Sequence, residues 1–456
     1  MRGNRAMVRL PRRLLGMGLM FWLASSAMFA LRAQPPEPLQ RVQQIVVIFL
    51  ENRSFDHLFG HFPGADGLAN AGPAAAQIDL PGPTLPQPLI FRDGNMAPDA
   101  RFPANLPNGP YPIDRFARQD SLLPSPVHQF FEEQAQINGG AMNRFVAVTN
   151  AGGAVMGYHE MRGSHHWQLA AEFTLADRFF HSAFGGSFLN HAFLVCSCAF
   201  QFPNAPEAIR VTEDFTGRNV PKGSVTKNNE AVNTLRSVHL PRASDSQRRE
   251  QLVPPQTMPH FGDRMDAAGV SWRWYSGGYD DAAAGRGHEH FQYHHQPFAY
   301  FANLAPGTRA REAHLRDGSE FLRDIAANVL PRVSFYKPLG TQNMHPSYSA
   351  VPSGDAHLGD IVARLRASPA FANMLIIVTY DENGGFWDHV APPNRDNWGP
   401  GTRIPTIAIG PMVKRGFVDH TPYDHGSILR TIQLRFNVAP VNAIDGRATP
   451  LLNLLQ

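Results

Sequence analysis

The chain has 456 residues, 43% hydrophobic and 17% charged, which is enough apolar material for a large buried core and excludes a disordered tail or a highly charged scaffold. Its formal charge of +3 comes from its first stretch: residues 1–33 hold Arg2, Arg5, Arg9, Arg12, Arg13 and Arg32 and no acid, so the remainder carries −3. That balance argues against a basic nucleic-acid binder.

In chain order, an arginine-rich start followed by the apolar stretch Leu14–Ala30 and the small residue Ala33 reads as a signal peptide over 1–33, cut near Ala30 or Ala33. The expected product is exported, periplasmic or secreted, with no permanent membrane span after cleavage. Arg12-Arg13 also permits twin-arginine export of an already folded protein. Gln44–Leu50 (QIVVIFL) is a continuous apolar, β-branched run, the pattern of a strand covered on both faces. Met374–Tyr380 (MLIIVTY) repeats it, with Ser271–Tyr275 and Ile404–Ile409 as weaker strands. Between them, Ala356–Ala367 spaces Leu358, Ile361, Val362 and Leu365 as a helix does, and Thr257 is a candidate cap for a helix stopping at Gly269. Alternating helix and strand predicts an α/β fold. Residues 63–126 carry 13 of the 39 prolines, so long loop insertions are expected near 61–127 and again near 201–256 of one domain spanning 34–456, lying over the edge of the sheet. Only Cys196 and Cys198 are present, one residue apart; no disulfide framework is expected and zinc fingers are excluded, leaving oxygen and imidazole as metal ligands.

Chemistry concentrates where the two best strands end. The first runs into Glu51-Asn52 and the second into Asp381-Glu382. Open α/β sheets bind ligands beyond the carboxyl ends of their strands, so parallel neighbours would bring four oxygen donors to one divalent metal ion. Taken singly, each pair is equally a helix cap or a solvated strand end. Turns follow both pairs, at Arg53-Ser54 with a short helical stretch to Gly60, and at Asn383-Gly384-Gly385. Gly185-Gly186-Ser187 opens the apolar stretch Phe188–Val195, which puts Ser187 at a helix N-terminus, either as a cap or as a nucleophile beside an anion site. His294-His295, His128 and His345 lie in loop-like segments and suit phosphate binding, leaving-group protonation or metal ligation; Asp388-His389 is a reserve ligand pair, and His165-His166 and Asp424-His425 read as capping or packing. Neither a G-x-S-x-G elbow nor a phosphate-binding P-loop is present.

The segments Glu51–Gly60 (ENRSFDHLFG) and Asp381–Val390 (DENGGFWDHV) resemble the two signatures of the bacterial phosphoesterase family of secreted acid phosphatases and phospholipases C, as do Gln136–Gly140, the Ser187 segment, Thr257–Tyr275 and the 424–435 helix. The resemblance implies an alkaline-phosphatase-like sandwich, a central mostly parallel sheet flanked by helices with long loop excursions over the site. It further implies Glu51, Asn52, Asp381 and Glu382 as metal ligands, Ser187 as the nucleophile forming a phosphoseryl intermediate, and His128, His294, His295 and His345 around the phosphate. The implied activity is metal-dependent hydrolysis of a phosphate-ester substrate, of the acid-phosphatase type. The rival within enzymes is a phospholipase C acting on a lipid head group, with Phe291, Tyr293, Trp272 and Trp274 as a candidate choline pocket; outside enzymes it is an exported phosphate- or metal-binding protein. Two departures stand out. Gly185-Gly186-Ser187 replaces the Gly-Pro-Thr of the phospholipase C branch, and His294-His295-Gln296-Pro297-Phe298 is similar to the acid phosphatase branch. Some relatives have two aspartates where this chain has Asp381-Glu382, giving Glu382 a longer reach.

Overall fold

The computed structural model describes residues 34–92, 94–239, 249–286 and 290–456, so the signal peptide expected over 1–33 lies outside the described residues. Eight strands form the central sheet: β1 (Gln44–Leu50), β2 (Thr174–Ala176), β3 (Trp272–Ser276), β4 (Leu315–Asp317), β5 (Val333–Lys337), β6 (Met374–Tyr380), β7 (Thr406–Ile409) and β8 (Phe417–Asp419), in the order β4-β3-β5-β1-β6-β7-β2-β8. All neighbours pair in parallel except those of β7, which runs antiparallel between β6 and β2. Apolar runs without alternation are what a sheet covered on both faces requires, and every residue of β6 and all but the first of β1 are buried.

The covering helices include α1 (Phe55–Phe59), α2 (Phe130–Ile137), α3 (Ser187–Cys196), α4 (Phe261–Ala267), α5 (Val351–Ala367) and α6 (His425–Phe436). Helix α5 begins five residues before its apolar spacing does, because Pro352 is accommodated in a first turn. The cap of α4 is His260 rather than Thr257: its ring accepts from the Asp263 N–H while the Asp263 carboxylate accepts from the His260 N–H. Asp424 caps α6 as expected. Among the described residues no helix is long and apolar enough to cross a membrane.

The proline-rich excursion is less irregular than its composition suggests. It carries a hairpin pairing Leu89–Arg92 with Asn95–Pro98 and builds a second apolar cluster in which Leu85, Phe102 and Ile113 join Phe145, Phe386 and Trp387. The loop that follows β6 is thereby anchored in a core of its own. The two cysteines are bridged, contrary to expectation: Ser197 takes a left-handed conformation at the end of α3, and the turn brings the two Cα atoms to 5.1 Å, inside the range a disulfide spans.

Asp388 and His389, the reserve ligand pair, form with Asp56 a buried group whose atoms lie within 4.8 Å of one another, a spacing that could hold a metal ion, and a guanidinium bonds to its carboxylates. The fully buried Arg403 donates from Nε to Asp388 Oδ1 at 2.8 Å and from Nη2 to Asp56 Oδ1 at 3.1 Å, while His389 Nδ1 lies 2.6 Å from Asp56 Oδ2. This guanidinium ties α1 to the loop after β6. Replacing Arg403 with Leu leaves two buried carboxylates without their cation, and urea titration should show a loss of about 3–5 kcal/mol; an unchanged midpoint would mean the network contributes nothing.

Candidate active site

Residues Gln44–Leu50 pair in register with Met374–Tyr380, so Leu50 sits beside Tyr380 and the acidic pairs that follow are neighbours. Backbone bonds extend the match past the strands: the Asp381 N–H donates to Leu50 O at 3.1 Å and the Arg53 N–H to Glu382 O at 3.1 Å. Both turns bend at once. Asn52 has a φ of 63°, and Gly384 has a φ of 66° with no room for a side chain, since a Cβ there would lie 2.5 Å from Asn52 O. Glu51, Asn52, Asp381 and Glu382 are all completely buried at this point.

Four residues that sequence reasoning passed over hold them. Lys337, the last residue of β5, is fully buried and donates from Nζ to Leu50 O at 3.2 Å and to Asp381 Oδ2 at 3.3 Å, with Glu51 Oε1 at 3.4 Å. Asn343 donates to Glu51 Oε2, which also accepts from the Tyr348 hydroxyl at 3.4 Å. His191 places Nδ1 2.7 Å from Ser187 O and 3.9 Å from Asp381 Oδ2. The visible signals were a lysine closing an otherwise apolar strand and a histidine four residues after Ser187, on the same helix face. For Asn343 and Tyr348 the sequence carries no signal.

Ser187 opens α3, yet it is not the cap. That position belongs to Gly186, and the hydroxyl of Ser187 instead donates to Glu382 Oε1 at 3.1 Å and lies 3.4 Å from Asn52 Oδ1. The glycine turn before it is pinned by the buried Glu133, whose carboxylate accepts from the Gly185 N–H at 2.5 Å and the Thr402 N–H at 3.0 Å and meets His181 Nε2 at 2.8 Å.

The structure brings all four expected histidines to this cluster. His295 Nε2 bonds Glu51 Oε1, and Glu51, His294 and His295 each offer an atom within 4.8 Å of the others. His128 donates from Nδ1 to Pro126 O at 2.6 Å, which leaves Nε2 facing Asn52 Nδ2 at 3.2 Å and Glu382 Oε1 at 3.5 Å. His345 stacks on Tyr348 with ring centres 4.1 Å apart. The proposed choline pocket is not assembled here: Trp272 and Trp274 are sheet residues at 2% and 0% exposure, and the indole of Trp274 donates to His295 O at 2.7 Å.

The electrostatics separate the carboxylates. Burial works to raise Glu51, but His295 and Lys337 prevail and hold it well below the usual carboxylate range. Burial pushes Asp381 up to about 6 against the pull of Lys337, with Glu51 adding to the rise. Glu382 is raised well above the usual range, by burial first and then by Asp381. Burial also lowers His128, His294 and His295, and takes His345 down to about 4, so these imidazoles are neutral near pH 7. Buried carboxylates raised in this way, with amide and imidazole donors beside them, form a set suited to a hard divalent cation.

The model of the Phosphoesterase family matches residues 42–439, nearly the whole described chain. The chain belongs to that family. Among relatives, it is 25% identical over 443 residues to a non-hemolytic phospholipase C of Burkholderia pseudomallei, covering 88% of this chain and 56% of that one. It is 27% identical to a hemolytic phospholipase C of Pseudomonas aeruginosa (89% and 54% covered) and 28% identical to phospholipase C A of Mycobacterium tuberculosis (93% and 78%). The chain thus spans little more than half the length of the first two. Of solved structures, a protein in the alkaline phosphatase superfamily from Vibrio parahaemolyticus aligns over 70% of this chain and 69% of its own, with 10% identity and a TM-score of 0.32.

Lys337 is the protein's own counter-charge to Glu51 and Asp381. Lys337→Met should cost about 3–5 kcal/mol in urea unfolding without metal, and millimolar divalent cation should restore part of that loss. A variant as stable as the parent, or one indifferent to added cation, would show that the carboxylates are neutralised by other means.

Proposed function

We propose that the chain is a metal-dependent phosphoric ester hydrolase in which Ser187 is the nucleophile. The observation that supports this most is the direction of the Ser187 hydroxyl: at a helix start, where capping is the default use of a serine, it points away from its own backbone toward Asn52 and Glu382. Membership of the Phosphoesterase family sets the reaction class in which that geometry makes sense.

Glu51, Asn52, Asp381 and Glu382 are the residues that would hold the cation, which when bound would lower the serine's pKa and offset charge building on phosphate oxygens. The chain's own residues do the rest. Gly185 and Gly186 let a phosphate approach the first turn of α3, where free N–H groups favour an anion. Ser187, its proton given up to solvent as its pKa falls, attacks phosphorus in line through Oγ; the P–O bond to the alcohol breaks, the alkoxide takes a proton from a histidine, and a phosphoserine remains. Water then attacks from the same side the alcohol left, releasing phosphate and restoring the hydroxyl. His128, His294, His295 and His345 ring this position; each is neutral when empty, so an arriving phosphate dianion would draw a proton to one of them, ready for the departing alkoxide.

Phosphomonoesterase action of the acid phosphatase type is the first reading for substrate, because His294-His295-Gln296-Pro297-Phe298 resembles that branch and Gly185-Gly186-Ser187 departs from the Gly-Pro-Thr of the phospholipase C branch. The relatives' names favour the second, a phospholipase C cleaving phosphodiester lipids. Export through residues 1–33 belongs to either. Ser187→Ala should lower turnover on the order of 10³-fold or more and abolish an acid-trapped phosphoenzyme; normal turnover by that variant rejects serine as nucleophile. With the parent protein, faster hydrolysis of an aryl monophosphate than of an aryl phosphorylcholine diester supports the first reading, and the reverse order the second.

A further inference from the structure

Next to the serine turn lies an open cavity of about 290 Å³ lined by His128 and Gly186 and by Ser224, Val232, Asn233 and Thr234 of the 201–256 excursion. We propose that this cavity takes the alcohol part of the ester, and that the alcohol it selects is a small uncharged polyol of the glycerol or sugar kind. The inference rests on Ser187 being the nucleophile and adds to it the class of substrate.

The argument is one of chemical complement. Among the described residues no Asp, Glu, Lys or Arg lines the cavity, so they present no carboxylate to an ammonium group and no cation to a second phosphate. Among the described residues Phe188, at 1% exposure, is the one Phe, Tyr or Trp in the lining, so no such ring face is offered to a quaternary ammonium. What the walls do offer are the amides of Gln129 and Asn150 and the hydroxyls of Ser224 and Thr234. Amides and hydroxyls both donate and accept, which is what adjacent alcohol groups need.

Part of the wall is also fixed in advance. Asn150 Oδ1 accepts from the Val127 N–H at 2.8 Å, and Asn233 bridges the Phe130 N–H at 3.1 Å and Gly223 O at 2.7 Å. The Asn233–Phe130 bond ties the 201–256 excursion to the segment that carries His128, and the Asn150–Val127 bond fixes that segment from the other side, so this part of the wall is in place before a ligand arrives and less ordering is lost on binding.

The test uses the full chain with a divalent cation and four monoesters: an aryl phosphate, glycerol phosphate, a hexose phosphate and phosphorylcholine. The expected kcat/KM for the glycerol and hexose esters exceeds that for phosphorylcholine by at least about tenfold. The double variant Gln129→Leu/Thr234→Val should lower kcat/KM for glycerol phosphate about tenfold, mainly through KM, because two neutral hydrogen bonds are worth about that much, while aryl phosphate turnover stays within about twofold. If aryl phosphate is cleaved but phosphorylcholine matches or beats the polyol esters, the polyol assignment falls and the Ser187 reading stands. An equal loss on aryl and glycerol esters in the double variant overturns the cavity's role in recognition. If no ester is cleaved with any divalent ion, the hydrolase reading itself fails and this inference falls with it.

Discussion

Two parallel strands ending in register create the problem that the rest of this structure solves. Pairing Leu50 with Tyr380 sets Glu51 and Asp381 side by side, with Glu382 next to them, where burial forbids water from screening their repulsion. One internal cation answers most of it: Lys337 reaches both Glu51 and Asp381, and arrives there because β5 is the other parallel neighbour of β1. The division of charge follows. Glu51, with His295, Lys337 and Asn343 about it, stays ionised, whereas Glu382, with a serine hydroxyl and backbone N–H for company, is driven toward its protonated form. Glu382 is therefore the position at which the site has most to gain from a further positive charge.

Holding such a cluster takes rigid support, and the support comes from elements that do no chemistry. Arg403 locks α1 to the loop after β6, the excursion's own apolar cluster grips Phe386 and Trp387, and Glu133 fixes the turn before Ser187. Gln136 donates to Val127 O and Val148 O and so positions the chain beside His128. The contacts of Arg403 with Asp56 and of Glu133 with Gly185 and Thr402 join parts of the sequence far apart, so the serine and the acids are placed by packing and not by local preference.

The fold was legible to the extent that burial writes itself into composition. Strands β1 and β6 stood out as unbroken apolar runs because both faces are covered, and α5 and α6 because their spacing or their cap is local. The three-residue strand β2 was not legible, for it is too short to show a period, and β7 was read as a strand over 404–409 without its reversed direction, which depends on the connection. The disulfide was missed for a related reason, since the turn at Ser197 that permits it is a backbone conformation no spacing rule encodes.

For the site, the sequence alone determined the chemical inventory: acids at the ends of two buried strands, a serine after two glycines, and histidines in aromatic loops, each type dictated by the reaction its atoms can support. Only the tertiary structure decided which of them meet. It turned Ser187 from cap to site residue, gathered Asp388 and His389 with Asp56 about Arg403, buried Trp272 and Trp274 in the sheet, and added Lys337, Asn343, Tyr348 and His191. Proximity across some three hundred residues is a property of strand order and register, and neither is encoded in any window of the chain.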